Sequence, residues 1–249
     1  MARERSRQFH PGPEYFLARQ QIRTHRIGFH TVIGAGQEDT EIDLWDNLDP
    51  DNPVQFPLFQ ASGVITLEST NASDNGSFCE CLGLDANGSF VFESIEIGGS
   101  AGTKVFSPPL AQIRLEGSSG DRSGAFGNIS ATSTAGIVGL VRQGRIKSLN
   151  GIRRASKDEQ WIVKGVTAGL VKELTSGQTV ANLTLRLHEA HPNERSGPQR
   201  SWSFTESLEK QNLRETFDQD SYFFATVEST IAGAIIEGYF SVGVVQNVS

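Results

Sequence analysis

The chain has 249 residues and a formal charge of −7, with 26 glycines and its hydrophobic residues in short runs. That length can bury one large β core or two smaller ones, and the acidic balance argues against bulk nucleic-acid binding. No run approaches the roughly 20 apolar residues of a membrane-crossing helix, no apolar stretch follows the arginine-bearing N-terminus, and 2 cysteines cannot form a disulfide scaffold. The expectation is a soluble chain, folded in a reducing compartment, with no membrane partner and no cleavable leader.

Charge is distributed unevenly along the chain. Residues 1–26 carry Arg3, Arg5, Arg7, Arg19, Arg23 and Arg26 against Glu4 and Glu14, whereas the 77 residues between Arg26 and Lys104 hold 13 carboxylates and neither lysine nor arginine. Like charges on one folded unit repel, so the basic segment reads as an arm that pairs with carboxylates of another copy or another protein. Glu38, Asp39, Glu41 and Asp43 are the expected receivers. Residues 1–13 are polar and proline-punctuated, an arm without its own core, and residues 14–24 read as a short helix. Residues 29–33 are strand-like. Gly34-Ala35-Gly36 behind them lacks a third glycine and a following helix, so it reads as a hinge and not a nucleotide loop.

In residues 37–57, seven carboxylates surround Leu44 and Trp45 while Pro50, Pro53 and Pro57 block regular structure. This stretch reads as an ordered acidic loop pinned by Trp45. Asp46, Asp49 and Asp51 offer oxygens to a hard cation. Pro53, however, stands where a loop counted from Asp49 would need a ligand, so a solvated or arm-paired acidic face is the better reading. No metal and no cofactor is expected.

From residue 63 the apolar period becomes two. Residues 63–69, 77–82, 89–97, 103–106 and 110–116 read as strands, separated by turn signals at Asn75-Gly76, Asn87-Gly88, Gly98-Gly99 and the glycines of 117–120. A second set follows at 137–142, 161–172, 179–188, 201–205, 222–229 and 233–245. The clearest alternation is in 179–188, with Ala181, Leu183, Leu185 and Leu187 opposite Asn182, Thr184, Arg186 and His188. The fold class expected is all-β: an extended N-terminal arm (1–34), then two antiparallel β-sandwich, jelly-roll-like domains at 35–133 and 134–249.

Signatures of chemistry are sparse. Gly98-Gly99-Ser100-Ala101-Gly102 satisfies the G-x-S-x-G string, yet a nucleophile elbow needs a helix directly after the serine and Pro108-Pro109 lies close behind. His188-Glu189-Ala190-His191 has the wrong spacing for a helical zinc motif and reads as solvated loop residues. Cys79 and Cys81 share one face of a strand, where adjacent thiols seldom meet disulfide geometry. Buried packing is their first reading, and intersubunit disulfides are the sharper alternative. No acid, base and nucleophile form a consistent set, so catalytic residues are not assigned.

One longer pattern remains. Trp45, Pro57, Ala61-Ser62, Leu67, Ser69-Thr70, Ala72, Asp74 and Gly76, followed by Gly83-Leu84-Asp85-Ala86-Asn87, resemble a family of small β-rich structural proteins of tailed, often marine, bacteriophages. Tyr15-Phe16-Leu17 and Phe29-His30 match that family's apolar opening and its histidine–aromatic pair. Two departures stand out: residues 76–81 replace a glycine-rich segment of the family, and Gly88 replaces an aromatic after Asn87. The resemblance implies a non-enzymatic virion component, assembled in the host cytoplasm, whose partners are other copies of itself and capsid, portal or neck proteins. The neck or collar is the expected position. Capsid decoration, or an appendage recognising bacterial surface glycans, is the alternative.

Overall fold

Among the described residues the first strand pairs with the last, and the rest of the fold is built inside that closure. A computed structural model of the chain describes residues 22–34, 36–45, 61–116, 124–134, 136–171, 182–191 and 194–246. β1 (Ile22–Val32) runs antiparallel to β15 (Ile235–Gln246) over eleven positions, from Ile22 opposite Val245 to Val32 opposite Ile235. Between them lie β2 (Ile42–Asp43), β9 (Arg153–Arg154), β10 (Glu159–Leu170), β11 (Leu183–His191), β12 (Glu194–Phe204), β13 (Ser207–Phe217) and β14 (Tyr222–Ser229). One sheet has the order β1-β15-β10-β13 and the other β12-β11-β14-β2, with β9 also paired to β14. Setting β9 aside and counting these strands along the chain, the first sheet takes the first, eighth, third and sixth, and the second takes the fifth, fourth, seventh and second. That is the strand order of a jelly roll.

The remaining strands form a second, smaller β unit inserted between β2 and β9. They are β3 (Thr66–Ser69), β4 (Phe78–Leu84), β5 (Phe90–Glu96), β6 (Ser107–Leu115), β7 (Ile129–Ser133) and β8 (Gly136–Val141). They form the sheets β3-β7-β8 and β5-β4-β6 around a core that includes Ile65, Leu67, Ile95, Phe106, Ile113 and Val138. A buried carboxylate ties the loops of this unit together. Asp74, on a single 3-10 turn at Ala72–Asp74, accepts from Ser69 Oγ (2.6 Å), Phe126 N (3.0 Å) and Gly127 N (2.8 Å).

Three sequence-based expectations change. The division at residue 34 gives way because Ile27 and Phe29 bury in the jelly-roll core, so residues 22–32 are a sheet strand and not part of an arm or helix. The division at residue 134 gives way because β8 pairs with β7 and packs Val138 and Val141 into the insert. The N-terminal strands thus complete the C-terminal sandwich. Finally, β13 had no period-two signal, since most of its residues are polar and exposed. It lies at a sheet edge, where charged side chains discourage pairing with another chain, and it reaches the core with Leu208 and Phe217 near its ends and the half-buried Leu213 between them.

The jelly roll is filled by aromatic rings. Phe29 and Phe240 stand 5.0 Å apart, Phe223 meets Phe240 edge-on at 5.1 Å, and Phe217 meets Phe223 edge-on at 5.1 Å, a geometry that suits the quadrupoles of the rings. Leu183, Leu185 and Leu187 from β11 complete the packing, as their alternation predicts. The insert is joined where its ends meet: Trp45 bridges to Asn150, and Gly151 N donates to Leu44 O at 2.8 Å. Trp45 is buried beside Ile152, Ala190, Tyr222 and Phe224 and pins this junction. Arg154 reinforces it, donating through Nη1 to Ser107 Oγ (2.8 Å) and through Nε to Asp220 Oδ1 (2.9 Å). Tyr222 OH donates to Pro108 O at 3.2 Å.

Gly238 in β15 marks the tightest approach in the core. A Cβ there would lie 2.1 Å from Thr167 O and 2.6 Å from Phe29 Cζ. Gly238→Ala is expected to cost about 1–3 kcal/mol, the usual penalty of overpacking. Urea unfolding should show a lower midpoint with an unchanged m value.

Candidate functional site

Among the described residues, the interior of the jelly roll is apolar, so any chemistry belongs to its outer faces and rims. The densest polar group sits on the outer face of the second sheet. His188 lies on β11, not in a solvated loop as its sequence context suggests, and it is buried and stacked on Phe224 with ring centroids 4.7 Å apart and planes at 11°. Its Nε2 lies 2.9 Å from Thr226 Oγ1 and 3.0 Å from Glu41 Oε1. The Thr226 hydroxyl donates to Glu41 Oε1 at 2.6 Å, so Nε2 carries the proton that Thr226 Oγ1 accepts. Arg186 completes the group, 3.5 Å from Glu41 Oε2 and 2.6 Å from Glu228 Oε2.

Histidine, hydroxyl and carboxylate invite comparison with a hydrolytic triad. The geometry differs in the respect that matters. In a triad the acid holds Nδ1 while Nε2 faces the nucleophile; here carboxylate and hydroxyl share Nε2. Thr226 is buried as well, leaving no room for a substrate carbonyl. The group is a structural network that fastens the segment before β2 onto β11 and β14.

That network also bears on the residues expected to receive a basic arm. Glu41 is engaged by Arg186 and His188 of its own chain, and Asp43 is buried within β2, out of reach of a neighbour's arm. Glu38 and Asp39 remain exposed. Arg26 is held within the fold, its guanidinium 4.8 Å from the centre of the Tyr239 ring, and Arg23 lies in β1. Arg3, Arg5, Arg7 and Arg19, and with them Asp46, Asp49 and Asp51, lie outside the described residues.

Cys79 and Cys81 both point into the core of the insert and are fully buried. The intersubunit disulfide is thereby corrected, because neither sulfur can meet another chain without unfolding β4. Burial, reinforced by Cys79 and Glu93, pushes the Cys81 thiol far above its ordinary value, so it is not a thiolate nucleophile. Ser100 stands in the loop between β5 and β6 with no helix after it. Glu93 holds that loop, accepting from Thr103 N (2.7 Å), Thr103 Oγ1 (2.8 Å) and Lys104 N (3.0 Å).

A cavity of about 180 Å³ opens at one end of the sandwich, where the insert meets the inward face of the first sheet, lined among others by His25, Ile27, Phe90, Arg153, Glu159 and Trp161. Arg153 Nη1 donates to Asn150 O (2.7 Å) and Ile152 O (2.8 Å), and burial pulls its pKa down to about 10, which leaves it charged at neutral pH. Glu159 is buried and accepts from Trp161 Nε1 at 3.4 Å. No serine, threonine, cysteine or lysine lines this cavity.

A different cluster lies at one rim of the jelly roll. Glu189 and His191, two apart on β11, share a face, and Asp218 from the β13–β14 turn joins them, with one donor atom of each within 4.8 Å of the others. Sequence reasoning tested the pair His188 and His191. Strand geometry separates those two onto opposite faces and sets Glu189 with His191 instead.

No protein-family model matches the chain, and no curated protein matches it. Among solved structures, the chain has a loose likeness to infectious bursal virus-derived T=1 particles, at 9% identity and a TM-score of 0.20, covering 91% of this chain and 69% of that one. A likeness at that level carries no argument about fold or function.

The Glu93 contacts make a prediction about acid. Partial burial opposes ionisation of Glu93, but hydrogen bonds from Thr103 and Lys104 and the charge of Lys104 outweigh it and hold the carboxyl below its usual range. A depressed folded-state pKa stabilises the fold above the unfolded value of about 4.3, and that contribution is lost as pH falls through the folded value. Because Glu93 is half-buried at the surface, where solvent screens its contacts, Glu93→Gln should cost only a few tenths of a kcal/mol at pH 7. Chemical denaturation at stepped pH should show the gap between variant and wild type closing below about pH 4.

Proposed function

We propose that this chain is a non-enzymatic structural protein of a tailed bacteriophage particle, forming a closed oligomer at the neck or collar and tethered by the residues that precede β1. The observation that carries this reading is a jelly roll whose centre is packed with phenylalanine rings. Jelly rolls serve as shell-building units, as lectins and as cupins that enclose a ligand. The cavity of about 180 Å³ at one end of the sandwich is smaller than the roughly 300–1,000 Å³ of a ligand pocket, which speaks against the last use. Glycan recognition favours exposed tryptophan and tyrosine, whereas here Trp45 and Tyr222 are buried and Trp161, Trp202 and Tyr239 are half-buried.

What the surface presents is phenylalanine. Phe78, Phe90 and Phe92 share the outer face of β4 and β5 and are 43%, 56% and 49% exposed. A cluster of that kind on a sheet ending in an edge strand suits contact with other proteins. The resemblance around Trp45–Asn87 adds the phage setting, and the buried His188 network gives no support to an enzyme.

Native mass spectrometry of the full chain should give one closed oligomer. A monomer at working concentration would sink the proposal. Deleting residues 1–20, which spares β1, should leave the circular dichroism spectrum unchanged and abolish incorporation into particles. Antibody labelling of particles then decides position: label at the head–tail junction agrees with the neck, whereas label over the shell or on tail appendages overturns it.

A further inference from the structure

We propose that Glu189, His191 and Asp218 form a binding site for a borderline divalent transition-metal ion, with Zn²⁺ the best fit. The inference does not rest on the virion reading, because it concerns one rim of the jelly roll whatever that jelly roll builds.

The donors are brought together by three separate features of the fold. β11 places Glu189 and His191 on one face by the two-residue period of a strand. The β13–β14 turn then delivers Asp218, held by Ser221, whose N and Oγ both donate to Asp218 O at 3.3 and 2.8 Å. The backbone N of Asp218 in turn donates to Glu189 Oε1 at 2.9 Å, which fixes the Glu189 carboxylate against the turn. Glu189 is only 12% exposed in its side chain, whereas His191 is 42% exposed and leaves an entry path.

Distances and donor types fit the ion. Two donors bound at tetrahedral angles to one Zn²⁺, each at about 2.0–2.2 Å, stand roughly 3.4 Å apart. His191 Nε2 and Glu189 Oε1 are 3.8 Å apart, and the three donors lie within 4.8 Å of one another. Small side-chain rotations close that gap. One imidazole and two carboxylates suit Zn²⁺ and its transition-metal neighbours, while Ca²⁺ and Mg²⁺ call for an all-oxygen shell. Three protein ligands leave an outward coordination position for water or for a donor from another molecule. Bound metal would staple the end of β11 to the β13–β14 turn.

The test uses untagged full-length protein stripped with chelator and titrated with ZnCl2 by calorimetry. One saturable Zn²⁺ per chain is expected, with a rise in thermal midpoint and no comparable response to CaCl2 or MgCl2. His191→Ala and Asp218→Asn should each weaken Zn²⁺ binding at least about tenfold, while His25→Ala, at an exposed histidine outside the cluster, should leave it unchanged. Circular dichroism checks that the variants remain folded, as the exposure of His191 and Asp218 leads one to expect. Failure of Zn²⁺ to bind the wild type, equal weakening by His25→Ala and His191→Ala, or Zn²⁺ affinity indifferent to both rim substitutions would each overturn the proposal.

Discussion

Everything in this structure depends on the pairing of β1 with β15. The two strands stand more than 200 residues apart in sequence, as in the pairing of Ile22 with Val245, so their ladder closes almost the whole chain. Loop-closure entropy grows only slowly with length, but such non-local contacts form late and must be rewarded by burial. Phe29 and Phe240, diagonal neighbours across this pair, supply that reward together with Phe223. β15 lies inside its sheet, flanked by β1 and β10, and Gly238 lets those neighbours approach closely. Loss of β1 would expose the flank of β15 and open the aromatic core.

The insert is compatible with this closure because its ends meet. The contacts of Leu44 with Gly151 and of Trp45 with Asn150 bring them together, so the jelly roll experiences about one hundred intervening residues as a short connection. The insert brings its own core and its own buried carboxylate, Asp74, and makes few demands on its host. Two kinds of contact join them: Ile137 of the insert packs against the Trp45 cluster, and polar bonds run from Arg154 to Ser107, from Tyr222 to Pro108 and from Arg145 to Glu237. The polar contacts fix orientation more than they add stability.

Much of the strand content was legible along the chain. The period of β11 gave its inward face correctly, because a half-buried strand must alternate. Residues 222–229 coincide with β14, while of the expected acidic loop at 37–57 Ile42 and Asp43 form a strand and the stretch beyond Trp45 lies outside the described residues. β13 was not legible, since an edge strand with two buried ends carries no alternation. His188 was misjudged for a related reason. A polar residue at the end of an apolar strand looks like the start of a loop until Thr226, from a strand far along the chain, and Glu41, from near its start, close around it.

By itself the sequence determined that the protein is a β protein, that Leu183, Leu185 and Leu187 turn inward, and that Cys79 and Cys81 share a face. Each follows from the period of the strand and the cost of leaving apolar area in water. Only the tertiary structure decided which strand lies beside which, that the first sandwich is an insertion into the second, and that Asp218 joins Glu189 and His191 at a rim. The physical reason is that alternation specifies a face but no partner. Partners are selected by packing and hydrogen bonds between residues far apart in the chain, and those contacts exist only once it has closed.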